Sequence, residues 1–425
     1  MRKIKDSGVA WIGVIPENWQ LLSVGALFKV RNEKVNDTDY PPLSVTKGGI
    51  VPQMESVAKS DATDNRKMVL KNDFVINSRS DRKQSCGVSP LDGSVSLINT
   101  VLHPVPNAPV LPDYLDYLLK NYGFAEEFYR WGHGIVADLW TTRWQEMKNI
   151  FLPIPPVEEQ QKIIFSISTQ MEKVDALIAN VQEQIEKLKA YKQSLITEVV
   201  TKGLDPNVPM KDSGVEWIGE IANTRSVYRL KYLLSTPLQY GANESGGKYI
   251  NDSVRYIRIT DICADGSLKN DENNQYLSEK VASDYVLNDG DVLLARSGGT
   301  VGKSFLYHAE YGASAFAGYL IKADCNRDKL LPEFLVYYTQ SSLYDIWKNM
   351  IFVQATIQNI GANKYSNLEI PIPPVDEQRT LVKELKVRCS KIDSLIHIKQ
   401  QKIEKLEQYK RSLIYEYVTG KKEVS

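Results

Sequence analysis

The segment nearest to a reactive-site signature is Gly298-Gly299-Thr300-Val301-Gly302-Lys303-Ser304, which ends in the Gly-Lys-Ser of a nucleotide-binding phosphate loop. That loop also needs a glycine five residues before Gly302, where this chain has Ser297, and a helix directly after it. Phe305-Leu306-Tyr307 reads instead as strand, so ATP binding is not expected here. No Asn-Pro-Pro-aromatic run is present to hold an adenine for methylation, and Gly132-His133-Gly134 is too short for a dinucleotide fingerprint. No nucleophile elbow is visible. Cys86, Cys263, Cys325 and Cys389, like His103, His133, His308 and His397, are too scattered for a zinc site or a disulfide framework. This cysteine usage suits a reducing compartment. The chain is expected to be non-catalytic, with no metal and no cofactor of its own.

The chemistry the residues do suggest is hydrogen bonding to a polar surface. Val75-Ile76-Asn77-Ser78-Arg79 and Leu293-Leu294-Ala295-Arg296-Ser297 are strand-like runs that each deliver an arginine into a polar loop. The first loop holds Arg82 and Lys83, the second Lys303. Basic, hydroxyl-rich and glycine-permissive loops suit phosphates and base edges. Weaker candidates are Lys47 in Thr46-Lys47-Gly48-Gly49, Thr260, and Lys348, Gln358 and Asn359 near the end of the second lobe. A candidate DNA-contact set therefore reads Lys47, Ser78, Arg79, Arg82, Lys83, Thr260, Arg296, Ser297, Lys303, Lys348, Gln358 and Asn359. For each of these taken singly, a solvated hairpin tip is the plainer reading. Loss of Arg296 or Lys303 should weaken all DNA equally if they hold phosphate, or relax one base position if Arg296 reads guanine.

Charge does not favour nucleic acid. The chain carries 52 basic and 52 acidic side chains, and each candidate lobe balances as well, so a DNA surface must come from segregation onto one face. No apolar run approaches membrane-spanning length and no apolar signal core follows Met1-Arg2-Lys3-Ile4, so a cytoplasmic protein without membrane association is expected.

What positions these loops is a duplication. Lys5-Asp6-Ser7-Gly8-Val9-Ala10-Trp11-Ile12-Gly13 returns as Lys211-Asp212-Ser213-Gly214-Val215-Glu216-Trp217-Ile218-Gly219, an offset of 206. Pro153–Thr201 returns without a gap as Pro371–Thr419, an offset of 218, with 24 identities in 49 positions. The second lobe therefore carries 12 extra residues. The expected order is an N-terminal repeat segment (1–19), a first lobe (20–151), a first spacer helix (152–203), a linker with the second repeat segment (204–224), a second lobe (225–369), and a second spacer helix with tail (370–425). The fold class expected is α/β (α+β) lobes plus a pair of long helices with pseudo-twofold symmetry.

The helices carry a heptad seam. In the first copy it runs through Ile167, Met171, Val174, Ile178, Val181, Ile185, Leu188, Leu195 and Val199, with Lys192 in the one gap. In the second it runs through Leu385, Cys389, Ile392, Ile396, Lys399, Ile403, Leu406, Lys410, Leu413 and Tyr417. About 40 helical residues make a rod of ~60 Å. The two rods are expected to pair, their direction left open, and the preserved length reads as a ruler; a plain dimerisation coiled coil is the alternative.

The repeated Lys-Asp-Ser-Gly-Val-x-Trp-Ile-Gly segment, the Pro-Ile-Pro-Pro-Val-(Glu/Asp)-Glu-Gln helix start and the Ser194–Thr201 helix end together resemble the specificity subunit of type I restriction-modification systems. The likeness covers essentially the whole chain, twice in order. It implies two target-recognition domains, each reading half of a split double-stranded DNA site, with the helices setting the unread spacer. It also implies two methyltransferase subunits and restriction/translocase subunits, which would carry S-adenosylmethionine, ATP and Mg. Carried onto this chain, Pro155, Pro156, Glu159, Gln160, Pro373, Pro374, Glu377 and Gln378 become frame and methyltransferase dock. Trp11 and Trp217 become packing residues between lobe and helices. Four residues inserted near Ser194 should then lengthen the tolerated spacer and leave both half-sites unchanged. The competing reading is a coiled-coil scaffold whose lobes bind proteins, which zero net charge favours.

Overall fold

The computed structural model describes residues 2–53, 65–79, 84–134, 140–263, 266–353 and 358–424. The chain divides into two compact units, Met1–Gln182 with Gln400–Ser425, and Glu183–Lys399. Each unit thus combines one repeat segment, one lobe and part of each long helix.

In the first unit, β1 (Ile4–Asp6) and β2 (Val14–Pro16) form an antiparallel hairpin. The repeated residues make its turn. Asp6 accepts from the Gly8 N–H, Ser7 Oγ accepts from Val9 N–H, and Gly8 and Gly13 take positive φ. β3 (Gln20–Ser23) leads into α1 (Val24–Leu27), whose N-terminus Ser23 caps by accepting from Ala26 N–H.

The lobe continues through β4 (Phe28–Val30), β5 (Lys34–Val35), the hairpin of β6 (Leu43–Thr46) and β7 (Gly49–Pro52), β8 (Arg66–Val69), β9 (Phe74–Asn77), β10 (Cys86–Val88), β11 (Gly93–Val95) and β12 (Asn99–Pro104). An antiparallel sheet of order β10-β9-β12-β4 is joined by a smaller one of order β11-β8-β5. After α2 (Pro112–Lys120), α3 (Tyr122–Arg130) and α4 (Trp144–Met147), β13 (Phe151–Ile154) returns to pair with β3, so the lobe starts and ends on one ribbon. Its core joins Phe28, Phe74, Leu102 and Phe124 to Ile163 and Ile167 of α5 (Val157–Lys202).

The second unit repeats this plan. β14 (Met210–Asp212) and β15 (Glu220–Ala222) form the hairpin, with Asp212, Ser213 and Gly214 in the same turn roles. β16 (Ser226–Arg229), β17 (Gln239–Tyr240), β18 (Ser253–Ile257), β19 (Gln275–Ser278), α6 (Glu279–Ala282), β20 (Val292–Ala295), β21 (Ser304–Leu306), β22 (Ser314–Phe316) and β23 (Leu320–Ala323) follow. Then come α7 (Pro332–Tyr338), α8 (Ser342–Val353), α9 (Ala362–Ser366), β24 (Glu369–Ile372) and α10 (Val375–Val418). The main sheet has order β17-β23-β20-β21, the counterpart of β4-β12-β9-β10. The smaller sheet, β19-β18-β22, contains a parallel pair, β18 with β22. β16 lies 206 residues after β3, whereas β20, β21 and β24 lie 218 after β9, β10 and β13. The 12 extra residues therefore enter between Arg229 and Val292.

The long helices span 46 and 44 residues, somewhat more than the periodicity delimits. They run antiparallel within each unit. In the second unit Lys192 pairs with Asp393, and Lys399, further along α10, reaches Gln184, earlier in α5. In the first, Lys410 pairs with Asp175 while Leu413 and Val418 join the core that holds Ile167 and Ile163. The pairs Lys192–Asp393 and Lys410–Asp175 are the same interaction at an offset of 218. Both seam lysines leave the apolar stripe to reach a flanking aspartate, which explains the gap in the pattern. Among the described residues no helix is long and apolar enough to cross a membrane.

Candidate nucleic-acid interface

The two arginine-bearing runs are equivalent strands, β9 and β20, in the middle of their sheets. Each exits into a segment that a later stretch of chain clamps. In the second lobe the Arg296 carbonyl accepts from Ile360 N–H at 2.8 Å, and Ser297 bridges to Asn359. In the first, the Ser78 carbonyl accepts from Thr142 N–H at 3.2 Å, and Arg79 bridges to Thr141. All four positions match at an offset of 218.

The side chains at this shared exit are exchanged. The first lobe reads Ser78-Arg79 and the second Arg296-Ser297. Because strand neighbours face opposite ways, the arginines leave the sheet in opposite directions. Ser78 is 7% exposed and its hydroxyl shares a 2.7 Å hydrogen bond with that of Thr100 on β12, so it serves as an internal strut; Arg79 is exposed. In the second lobe Ile321 takes the place of Thr100, the two standing opposite the equivalent residues Leu294 and Ile76, so the hydroxyl pair of the first lobe has no counterpart there. The Arg296 guanidinium sits 4.9 Å from the Tyr240 ring centroid and donates weakly, at 3.4 Å, to the Gly318 carbonyl. Its buried Nε has no partner. Tyr240 is held in turn, its hydroxyl accepting from Ala362 N–H at 2.8 Å.

The 298–304 loop closes a β-hairpin. Gly298 and Gly302 adopt positive φ, and Ala295 and Lys303 pair through their backbones before β21 begins. Two buried phenols brace it: Tyr344 donates to the Gly302 carbonyl and Tyr365 to the Ala295 carbonyl, each at 2.8 Å. Burial pushes both hydroxyls well up, so they stay protonated donors.

The structure thus brings Arg296, Ser297, Lys303 and Asn359 to one strand exit, with Lys303, Gln358 and Asn359 exposed. Lys348 joins them differently: its ammonium is 2.6 Å from Asp345 and lies over the Tyr344 ring, a packing role that departs from a free contact. Thr260 is exposed on a turn after β18 and belongs to the smaller sheet; Lys47 is exposed at the β6–β7 tip of the first lobe. Neither is drawn to the strand exits. Arg82 and Lys83 lie outside the described residues. Sequence reasoning missed Tyr240, Gly318 and Tyr319, whose carbonyl accepts from Arg296 N–H.

The frame residues divide by burial. Gln160 and Gln378 are both 0% exposed. Gln160 accepts from Leu111 N–H and donates to the carbonyls of Pro109 and Pro155; Gln378 does the same with Leu331, Lys329 and Pro373. Each fastens the start of a lobe helix, α2 or α7, to a long helix, and being enclosed neither offers a docking surface. Pro155 and Pro373 are also buried, while Pro156 and Pro374 are exposed. Glu159 pairs with Arg2 at 2.5 Å and Glu377 with Arg225 at 3.1 Å. Trp11 packs edge-on to Phe124 and its carbonyl accepts from Tyr415 of α10; Trp217 packs on the second unit's core.

Residues 234–408 match the family model of the type I restriction modification DNA specificity domain. Over that span, most of the second lobe and of the second long helix, this chain carries a type I DNA specificity domain. It is 26% identical over 284 residues to the type I restriction enzyme MjaVIII specificity subunit of Methanocaldococcus jannaschii, an alignment covering 64% of this chain and 62% of that relative. It is 23% identical over 430 residues to the putative MjaX specificity subunit of the same organism, covering 96% and 95%. A solved chain from work on complex assembly and conformational transition of the type I R-M system shares the fold, with a TM-score of 0.67 at 17% identity over 95% of this chain and 98% of that one.

Proposed function

We propose that this chain is the DNA-reading subunit of a type I restriction-modification complex. It reads a split, asymmetric double-stranded site, one lobe per half-site, and performs no chemistry itself. The observation that carries this reading is a duplicated frame bearing lobes that differ at their equivalent strand exits, Ser78-Arg79 against Arg296-Ser297. A frame kept fixed while the strand-exit residues diverge suits a protein that must recognise two different things at a set separation. Exposure supports Lys47, Arg79, Thr260, Lys303, Gln358 and Asn359 as contacts to phosphate or bases, with half-buried Ser297 beside them.

Two methyltransferase subunits dock on the long helices, and restriction/translocase subunits complete the complex. S-adenosylmethionine, ATP and Mg belong to these cytoplasmic partners. The repetition of exposed apolar residues supports two equal docks: Leu177 and Leu395, and Tyr191 and Tyr409, are identical pairs 218 apart and all four are exposed. Exposed Pro156 and Pro374 begin the same helices.

The test is a genome-wide map of methylated adenines in cells with and without the gene. A two-part motif with a fixed gap that disappears on deletion supports the reading. If co-expression with the methyltransferase yields no such motif, and the complex has no salt-sensitive affinity for DNA, a protein-binding scaffold replaces it.

A further inference from the structure

We propose that Arg296 is a base-reading residue of the second lobe, seated by Tyr240 and Gly318 to donate to the major-groove edge of a guanine, and that the first lobe has no reader at the equivalent position. This deepens the DNA-reading function above and rests on it.

Arg296 is the wrong residue for a structural strut. Among the described residues no carboxylate pairs with it, whereas half-buried Arg31 has Asp73, half-buried Arg258 has Asp261 and wholly buried Arg225 has Glu377. It keeps a buried Nε–H without an acceptor and spends one other donor on a long bond to Gly318. An unsatisfied buried donor is destabilising, and a cation without a counter-charge more so, unless something outside the chain completes the site. The Tyr240 ring face holds the charge without consuming its donors, and the planar guanidinium that results is the form that bonds in pairs to guanine O6 and N7.

The surroundings fit a base rather than a protein carboxylate or a bare phosphate. Tyr319 is 64% exposed beside Gly318, and Ser297, Gln358 and Asn359 line the same exit with groups that both donate and accept. A phosphate clamp would gather several free cations; among the described residues at this exit Lys303 is one, Lys348 is paired with Asp345, and Ser297, Gln358 and Asn359 are neutral hydrogen-bonding groups. The exchange with the first lobe is paired. Arg296 and Ile321 stand where Ser78 and Thr100 stand in the first lobe, so the hydroxyl pair is lost and the guanidinium lies against Tyr240 instead.

The experiment uses the full chain co-expressed with its methyltransferase, and reads the methylated motif from whole-genome sequencing of modified bases for wild type, Arg296→Ala, Arg296→Lys and Tyr240→Leu. Co-purification of the methyltransferase and an unchanged melting transition establish that each variant is folded. Arg296→Ala is expected to relax one guanine position in one half-site, with discrimination there falling about 10- to 100-fold while the other half-site stays intact. Arg296→Lys should keep part of that preference, and Tyr240→Leu should weaken it at the same position. An unchanged motif in the folded Arg296→Ala complex, or a uniform loss across all sites, overturns the proposal and leaves the DNA-reading function standing. Absence of any gene-dependent motif in wild type removes both together.

Discussion

Arg225 is wholly buried with its guanidinium 3.1 Å from the Glu377 carboxylate, so that the end of one long helix is tied to the start of the other inside the second unit. Its remaining donors go to the carbonyls of Val199 and Val200, near the C-terminus of α5, where a cation suits the dipole and the Val199 carbonyl also accepts from Gly203 N–H. Burial lowers the Arg225 pKa and Glu377 opposes that effect. The matching position 206 residues earlier is Trp19, buried with its indole N–H unpartnered, and there Glu159 takes its cation from Arg2 instead. Arg225→Ala should destabilise the second unit by about 3 kcal/mol, since the Val200 carbonyl and the Glu377 carboxylate lose the guanidinium at once and the Val199 carbonyl loses one of its two donors. Urea unfolding would measure this. A loss under about 1 kcal/mol would mean that water replaces the guanidinium there.

The frame was legible in the sequence because helical periodicity and turn chemistry are local. Asp6-Ser7-Gly8 specify a turn wherever they stand, and a heptad seam declares its helix. Lys192 and Lys410 interrupt the apolar seam, and only the aspartates across it, Asp393 and Asp175, account for them. The strand-like runs ending at Arg79 and Arg296 were legible too, but their exchange was not. It depends on Thr100 and Ile321 being neighbours of Ser78 and Arg296 across a sheet, and strand partners far apart in sequence leave no local signature. Gln160 and Gln378 were noticed as repeated residues, yet only the carbonyls of Pro109 and Lys329 explain why they repeat.

Stability at alkaline pH should carry the imprint of Cys86. Its thiol is buried in β10, donating to the Leu119 carbonyl, and burial pushes its pKa up from 9.0 to about 12. The unfolded chain therefore releases this proton near pH 9 while the folded chain keeps it. Between pH 9 and 12 the unfolded state binds fewer protons, so this group removes stability at up to about 1.4 kcal/mol per pH unit. Cys86→Ala should flatten the fall of the first unit's stability over that window, whatever it costs at pH 7. Chemical denaturation from pH 8 to 11 on both proteins would show it. Parallel curves would contradict it.

The repeated exposed residues on the helices predict independent docks. In the first unit Leu177 and Tyr409 occupy equivalent heptad positions close in level to the Asp175–Lys410 pair. In the second, Tyr191 and Leu395 stand likewise beside Lys192–Asp393. Leu177→Asp with Tyr409→Asp should lower the methyltransferase stoichiometry of the purified complex from two to one and spare the other dock. Light scattering on the complex reads this directly. Retention of both subunits would move the dock to another surface, such as the Pro156 and Pro374 helix starts.

The ruler can be tested without touching a lobe. Ser194 is a poor insertion point, because Leu195 and Ile196 beside it are buried in the second unit's core. The boundary between units falls at Gln182/Glu183 in α5 and Lys399/Gln400 in α10. Since the helices are antiparallel, one heptad added at each of those two places keeps every seam residue opposite its partner. Seven residues lengthen each rod by ~10 Å, about three base pairs of DNA. The methylated motif of the doubly extended protein should keep both half-sites and gain a longer gap. A change in either half-site would mean that the helices shape recognition as well as spacing. An unchanged gap would mean that something other than rod length sets it.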